Sequence, residues 1–123
     1  MKLSKIFRIL FSSSEAVQHW WAQRLTAVAL APLSLWFIYS VTTMHGASYE
    51  TVTSWLGNVT NSVLMLLFIL ILYYHAVLGL QVVIEDYVAT EWRKKIILIS
   101  IKTLASLFAL SAVISMIIIC VEF

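Results

Sequence analysis

The sequence predicts an all-α membrane protein with three transmembrane helices. Three observations predict it. Of the 123 residues, 62% are hydrophobic and only 11% are charged. The mean hydropathy is +0.96, whereas a soluble domain carries about 25% charged residues. The chain also contains three apolar runs, each long enough for the roughly 20 residues that cross a bilayer as a helix. Finally, the basic residues fall on one side of those runs.

Residues 1–20 read as a cytoplasmic N-terminal arm, with a short amphipathic helix lying on the membrane surface. Arg8 interrupts its short apolar stretch and Ser12, Ser13, Ser14 and Glu15 follow, which argues against a signal peptide. Ser14 and Glu15 are suited to starting a helix that runs on towards the membrane. Residues 21–123 read as a three-helix transmembrane anchor domain, with spans of about 21–44, 60–85 and 96–121.

In the first span, Leu25 to Met44 carry no formal charge, and Trp20 and Trp21 mark an interface. Pro32 is tolerated in a membrane helix and can kink it. His45 to Gly57 read as a polar loop without Lys or Arg. The second span is uncharged from Val63 to Ile84, and Glu85 to Lys95 read as a short charged loop. The third span has one charge, Lys102, near its start, where the ammonium can snorkel to the interface.

Lys2, Lys5, Arg8 and Arg24 precede or enter the first span, and Arg93, Lys94, Lys95 and Lys102 flank the second turn. The positive-inside rule then puts the N-terminus in the cytoplasm, or in a mitochondrial matrix, and the C-terminus on the periplasmic side. A short arm without an Arg/Ser-rich transit peptide favours a bacterial inner membrane. Cys120 is the only cysteine, which excludes an internal disulfide and a cysteine-based metal site. No phosphate loop, nucleotide fingerprint or nucleic-acid surface is present; the basic clusters are explained by topology and membrane lipid.

The chemistry concentrates on the second helix. His75 lies inside an apolar run, where an ionisable group is costly and usually functional. At about 100° per residue, Gly79 lies about 40° from it, and Val82 and Asp86 lie about 20° to either side. His75, Gly79 and Asp86 therefore form one stripe. Asp86 sits roughly 16 Å along the axis from His75, at the cytoplasmic interface. Gly79 leaves a patch without a side chain, against which a flat macrocycle fits.

Several readings stay open on the residues alone. His75 suits an axial ligand of a haem, an interhelical hydrogen bond, or a proton relay. If it ligates haem, His19 and His45 are badly placed as the second ligand, so that ligand comes from another chain. Arg24 is either a snorkelling anchor or the partner of an anionic group such as a haem propionate. Asp86 and Tyr87 are either a solvated helix end with a belt tyrosine or a quinone site. Quinone reduction asks for a phenol-type donor at a carbonyl oxygen and a protonatable group linked to water.

Two motifs resemble the small hydrophobic membrane anchor of succinate dehydrogenase (succinate:quinone oxidoreductase, respiratory complex II). One is His75, ten residues, then Asp86-Tyr87, with Gly79 between; the other is HWWAQRLTAVAL at residues 19–30. The likeness covers the three-helix layout and nearly the whole chain. It implies that His75 is an axial iron ligand of a haem b shared with a sister membrane anchor. It implies that Tyr87 hydrogen-bonds the quinone, that Asp86 neighbours it in the pocket, and that Arg24 lies near the propionates. Gln18 stands at the offset where the family often has a histidine, and His19 is one step nearer Arg24.

The resemblance further implies an anchor that is not catalytic alone. It docks an iron–sulfur subunit and a flavoprotein subunit in a heteromeric helix bundle serving electron transport and the tricarboxylic acid cycle. The alternative from the residues is a small oligomeric transporter or proton-relay subunit using His75.

Overall fold

The computed structural model describes residues 2–6 and 15–122, all helical apart from short connections. Residues 2–6 are helical; residues 1 and 7–14 of the expected arm lie outside the described residues, and its last six, 15–20, are the first turns of the first long helix. Four longer helices follow: α1 (Glu15–Thr43), α2 (Tyr49–Gly57), α3 (Val59–Tyr87) and α4 (Glu91–Glu122).

Helix α1 runs unbroken through Pro32. It stops just before Gly46, which takes φ of +76°, a left-handed conformation that glycine adopts without a Cβ clash. The expected polar loop from His45 to Gly57 is largely helical: it contains α2. Ser48 caps that helix by accepting from the Thr51 amide at 3.2 Å. Asn58 ends α2 and caps α3, its side-chain oxygen accepting from the amides of Thr60 at 3.0 Å and Asn61 at 3.4 Å. One residue thus serves two helix ends, so the chain turns with little non-helical backbone.

The second turn is tighter than the charge pattern suggests. Helix α3 continues to Tyr87 and α4 begins at Glu91, leaving only residues 88–90 between them. Three helices are long and apolar enough to cross a membrane: Val17–Thr43, Val59–Tyr87 and Glu91–Glu122. At 27, 29 and 32 residues they exceed the roughly 20 residues a bilayer core requires, with length to spare for tilt or for reaching into the headgroups.

Helix α3 is the centre of the arrangement. It packs on α1 along one side and on α4 along another, while α1 and α4 do not pack on each other among the described residues. Helix α2 lies over α3 and α4. Phe37 of α1 stacks on Phe68 of α3 with centroids 4.8 Å apart, and Trp36 stacks on Trp55 at 5.6 Å. Such ring pairs contribute about 0.5–1.5 kcal/mol beyond buried area. Ser62, buried, bonds the Leu56 carbonyl and lies 2.9 Å from the Cys120 sulfur, which ties α3 to both α2 and α4.

Candidate functional site

The stripe on α3 is built by uninterrupted helix from Val59 to Tyr87. That continuity brings His75, Gly79 and Asp86 onto one face. The tertiary structure decides what this face meets: its inner part packs against α1. His75 Nδ1 lies 2.7 Å from the Thr26 hydroxyl. One turn on, a Cβ placed on Gly79 would sit 3.5 Å from Gln23 Nε2. The patch at Gly79 therefore faces Gln23 at ordinary van der Waals distance and is not left bare.

His19, Gln23 and Thr26 recur at i, i+4 and i+7 and so share one face of α1. His19 Nε2 and Gln23 Oε1 are both buried without a hydrogen-bond partner. Buried polar atoms left unpaired are uncommon and point to a group or water that completes them. Neither Gln23 nor Thr26 stands out when the first span is read for charge. Their signal is the i, i+3 spacing of two polar residues inside an apolar helix, on the same face as a histidine.

The Thr26 hydroxyl contacts the carbonyl oxygens of Ala22 at 2.7 Å and Gln23 at 3.1 Å, besides His75. His75 is half-buried, and its other ring nitrogen, Nε2, makes no hydrogen bond among the described residues. An imidazole with one nitrogen held by the protein and the other free is the arrangement a metal-ligating histidine adopts. No group of three or more His, Cys, Asp or Glu gathers among the described residues. What the chain offers a metal here is one nitrogen, the share asked of it by an iron already held in a macrocycle. The free Nε2 of His75 fits an iron held in a flat macrocycle, and His19 Nε2, as a donor, fits a carboxylate on it, whereas Gln23 Oε1 only accepts and calls for a donor such as water.

The other candidate residues stay apart. Arg24 is exposed, with its guanidinium over the Trp20 ring at 5.3 Å, and Trp20 meets Trp21 edge-on at 5.1 Å. A cation over an indole face is held electrostatically by the ring quadrupole, and at an exposed position this keeps Arg24 near the aromatic belt. Asp86 is exposed, and Tyr87, the last residue of α3, is 83% exposed. Tyr87 follows Asp86 by about 100° of helix rotation, so its phenol turns away from the α1-facing stripe. Within this chain, then, His75 is joined to α1 while Arg24, Asp86 and Tyr87 form open surface.

The family model described as succinate dehydrogenase/fumarate reductase transmembrane subunit matches residues 4–118. The succinate dehydrogenase hydrophobic membrane anchor subunit of Rickettsia prowazekii is 33% identical over 103 residues, covering 84% of this chain and 82% of the relative. The protein of that name from Rickettsia bellii is 32% identical over 91 residues, 74% of this chain and 73% of the relative. That from Paracoccus denitrificans is 32% identical over 92 residues, 75% of this chain and 71% of the relative. No solved structure matches. With such relatives and three apolar helices, this is a multi-pass protein of the bacterial inner membrane. A match that spans nearly the whole chain, over the same three-helix layout, means that the chain belongs to the succinate dehydrogenase/fumarate reductase transmembrane subunit family, as a membrane anchor.

Proposed function

We propose that this anchor supplies one axial ligand, His75, to a haem b and part of a quinone-reduction site at Asp86 and Tyr87. The observation that carries the reading is the state of His75. It sits inside an apolar span, half-buried, with Nδ1 engaged by Thr26 and Nε2 without a partner among the described residues. A histidine serving only to join helices satisfies its hydrogen-bonding groups within the bundle; this one keeps a nitrogen available.

In this reading the second axial ligand comes from the sister membrane anchor, which covers the open faces of α3. Arg24, beside the interface, offers a guanidinium to a propionate. Gly79, one turn from His75, adds no side chain beside the ligand. When bound, the haem would supply a one-electron redox centre.

The Tyr87 hydroxyl donates a hydrogen bond to a quinone carbonyl oxygen. Asp86, exposed at the membrane surface, exchanges protons with water. Reduction of a quinone to a quinol takes up two electrons and two protons. The electrons arrive through the iron–sulfur subunit from succinate oxidised on the flavoprotein subunit, and the protons enter from the aqueous side. The basic end of the chain faces the cytoplasm, where those soluble partners dock.

A reduced-minus-oxidised spectrum of the co-expressed complex tests the ligand. Complex carrying His75→Ala is expected to assemble with its haem lost or converted to a five-coordinate spectrum. Retention of an unchanged bis-histidine spectrum would remove His75 from the site.

A further inference from the structure

We propose that Thr26 is a positioning residue for His75, whose hydroxyl oxygen accepts the Nδ1 proton and so fixes the tautomer that leaves the Nε2 lone pair free. The inference rests on the reading of His75 as a haem ligand and extends it to a residue on another helix.

The Thr26 hydroxyl has one hydrogen and three neighbours: Ala22 O at 2.7 Å, Gln23 O at 3.1 Å and His75 Nδ1 at 2.7 Å. Carbonyl oxygens only accept. Donation of that hydrogen to Ala22, the short back-bond to the preceding turn, leaves the hydroxyl oxygen free to accept. The 2.7 Å contact with His75 then needs its hydrogen on Nδ1. A neutral imidazole with hydrogen on Nδ1 has none on Nε2, so Nε2 is the nitrogen able to bind iron.

The same chain of bonds gives a direction of polarisation. Nδ1–H donates to the hydroxyl, which donates to the Ala22 carbonyl, and each bond strengthens the next. A donor shared in this way makes the imidazole more basic at Nε2 and holds its ring plane. A more electron-rich axial nitrogen favours ferric over ferrous iron. Removing the hydroxyl therefore shifts the reduction equilibrium towards ferrous iron and loosens the ligand. The alternative tautomer, with hydrogen on Nε2, is the one in which iron cannot bind there.

The test uses the intact complex, purified with all its subunits, and reads the haem and not turnover. Thr26→Val keeps the branched shape and deletes the hydroxyl; Thr26→Ser keeps the hydroxyl. The expected result is a ferric low-spin electron paramagnetic resonance signal with altered g values in Thr26→Val. Its reduction equilibrium moves by about tenfold towards the ferrous state, about 59 mV for a one-electron couple. Thr26→Ser is expected to track the wild type on both measures. If Thr26→Val fails to assemble, Thr26→Ala compared with Thr26→Ser at equal haem loading gives the same contrast.

Unchanged g values and potential in Thr26→Val, or in Thr26→Ala where that is used, overturn the role of Thr26 when His75→Ala alters the haem spectrum. An unchanged haem spectrum in His75→Ala overturns instead the ligand reading on which the inference rests. The two failures are therefore distinguished in one set of complexes.

Discussion

Tyr87 closes α3 with its phenol exposed, next to a carboxylate that points about 100° away around the helix. A tyrosine serving only as a belt residue contributes its ring, and phenylalanine replaces it at small cost. A tyrosine that donates to a quinone contributes its hydroxyl. Tyr87→Phe is therefore expected to lower succinate-to-quinone electron transfer by about 10- to 100-fold, the range for a lost hydrogen bond worth about 1.4–2.8 kcal/mol in a transition state. Succinate oxidation with a water-soluble artificial acceptor is expected to stay near wild type. Equal loss in both assays would place the defect in assembly and not in the quinone pocket. The motif carrying His75, Asp86 and Tyr87 is legible in the sequence because three polar residues in and beside an apolar run stand out by contrast. Gln23 and Thr26 are not, because neutral polar residues barely disturb the hydropathy of the first span, and only their contact with α3 reveals them.

Between elements, α1 meets α3 at Gly79, which faces Gln23. A Cβ there would meet Gln23 Nε2 at 3.5 Å, an ordinary van der Waals distance at the end of a flexible side chain. Gly79→Ala is accordingly expected to leave the thermal stability and haem content of the complex near wild type. Gly79→Leu needs room the interface lacks; overpacking costs about 1–3 kcal/mol and separates Thr26 from His75. The measurement is the melting temperature of the detergent-solubilised complex together with haem bound per complex. Normal values of both in Gly79→Leu would mean that the helices do not meet closely here. Asn58 gives a second expectation, at the turn between α2 and α3. Asn58→Ala removes the side-chain acceptor for Thr60 and Asn61 and is expected to destabilise the chain by about 1 kcal/mol, read from denaturant titration of helical signal in micelles. The segment Tyr49–Gly57 reads as loop in the sequence because nine residues are too few for a clear periodicity among so many polar side chains. Its caps, Ser48 and Asn58, are the available signal.

For the molecule as a whole, what matters is how little it buries. No described side chain falls below 2% exposure, and leucines, isoleucines and valines along all three spans are exposed. In lipid such surface is solvated, and in a heteromeric bundle it is packed; neither case demands a closed core from this chain alone. Helix α3 stands between α1 and α4, with His75 reaching α1 and Tyr87 open at the end. The proposed site is thus one wall, with the remaining walls left to other subunits. Sidedness is the expectation at this scale. Alkaline phosphatase fused after Phe123 is expected to be active in the periplasm, and the same enzyme inserted at residues 88–90 inactive. The opposite pattern would reverse the topology and put Tyr87 on the wrong side for the soluble partners.

The three spans, the clustering of eight basic residues and the stripe joining His75 to Asp86 are all written in the order of the residues. Each of these is local: span length follows from consecutive apolar residues, and a helical face follows from a rotation of about 100° per residue. That the stripe turns towards α1, that Thr26 meets His75 and that Gln23 covers Gly79 emerge only when the helices are packed. The physical reason lies in the solvent. A helix in water declares its buried face by a contrast of apolar and polar sides. Spans that are apolar all round carry no such contrast, and their partners are chosen by small residues, close packing and a few hydrogen bonds.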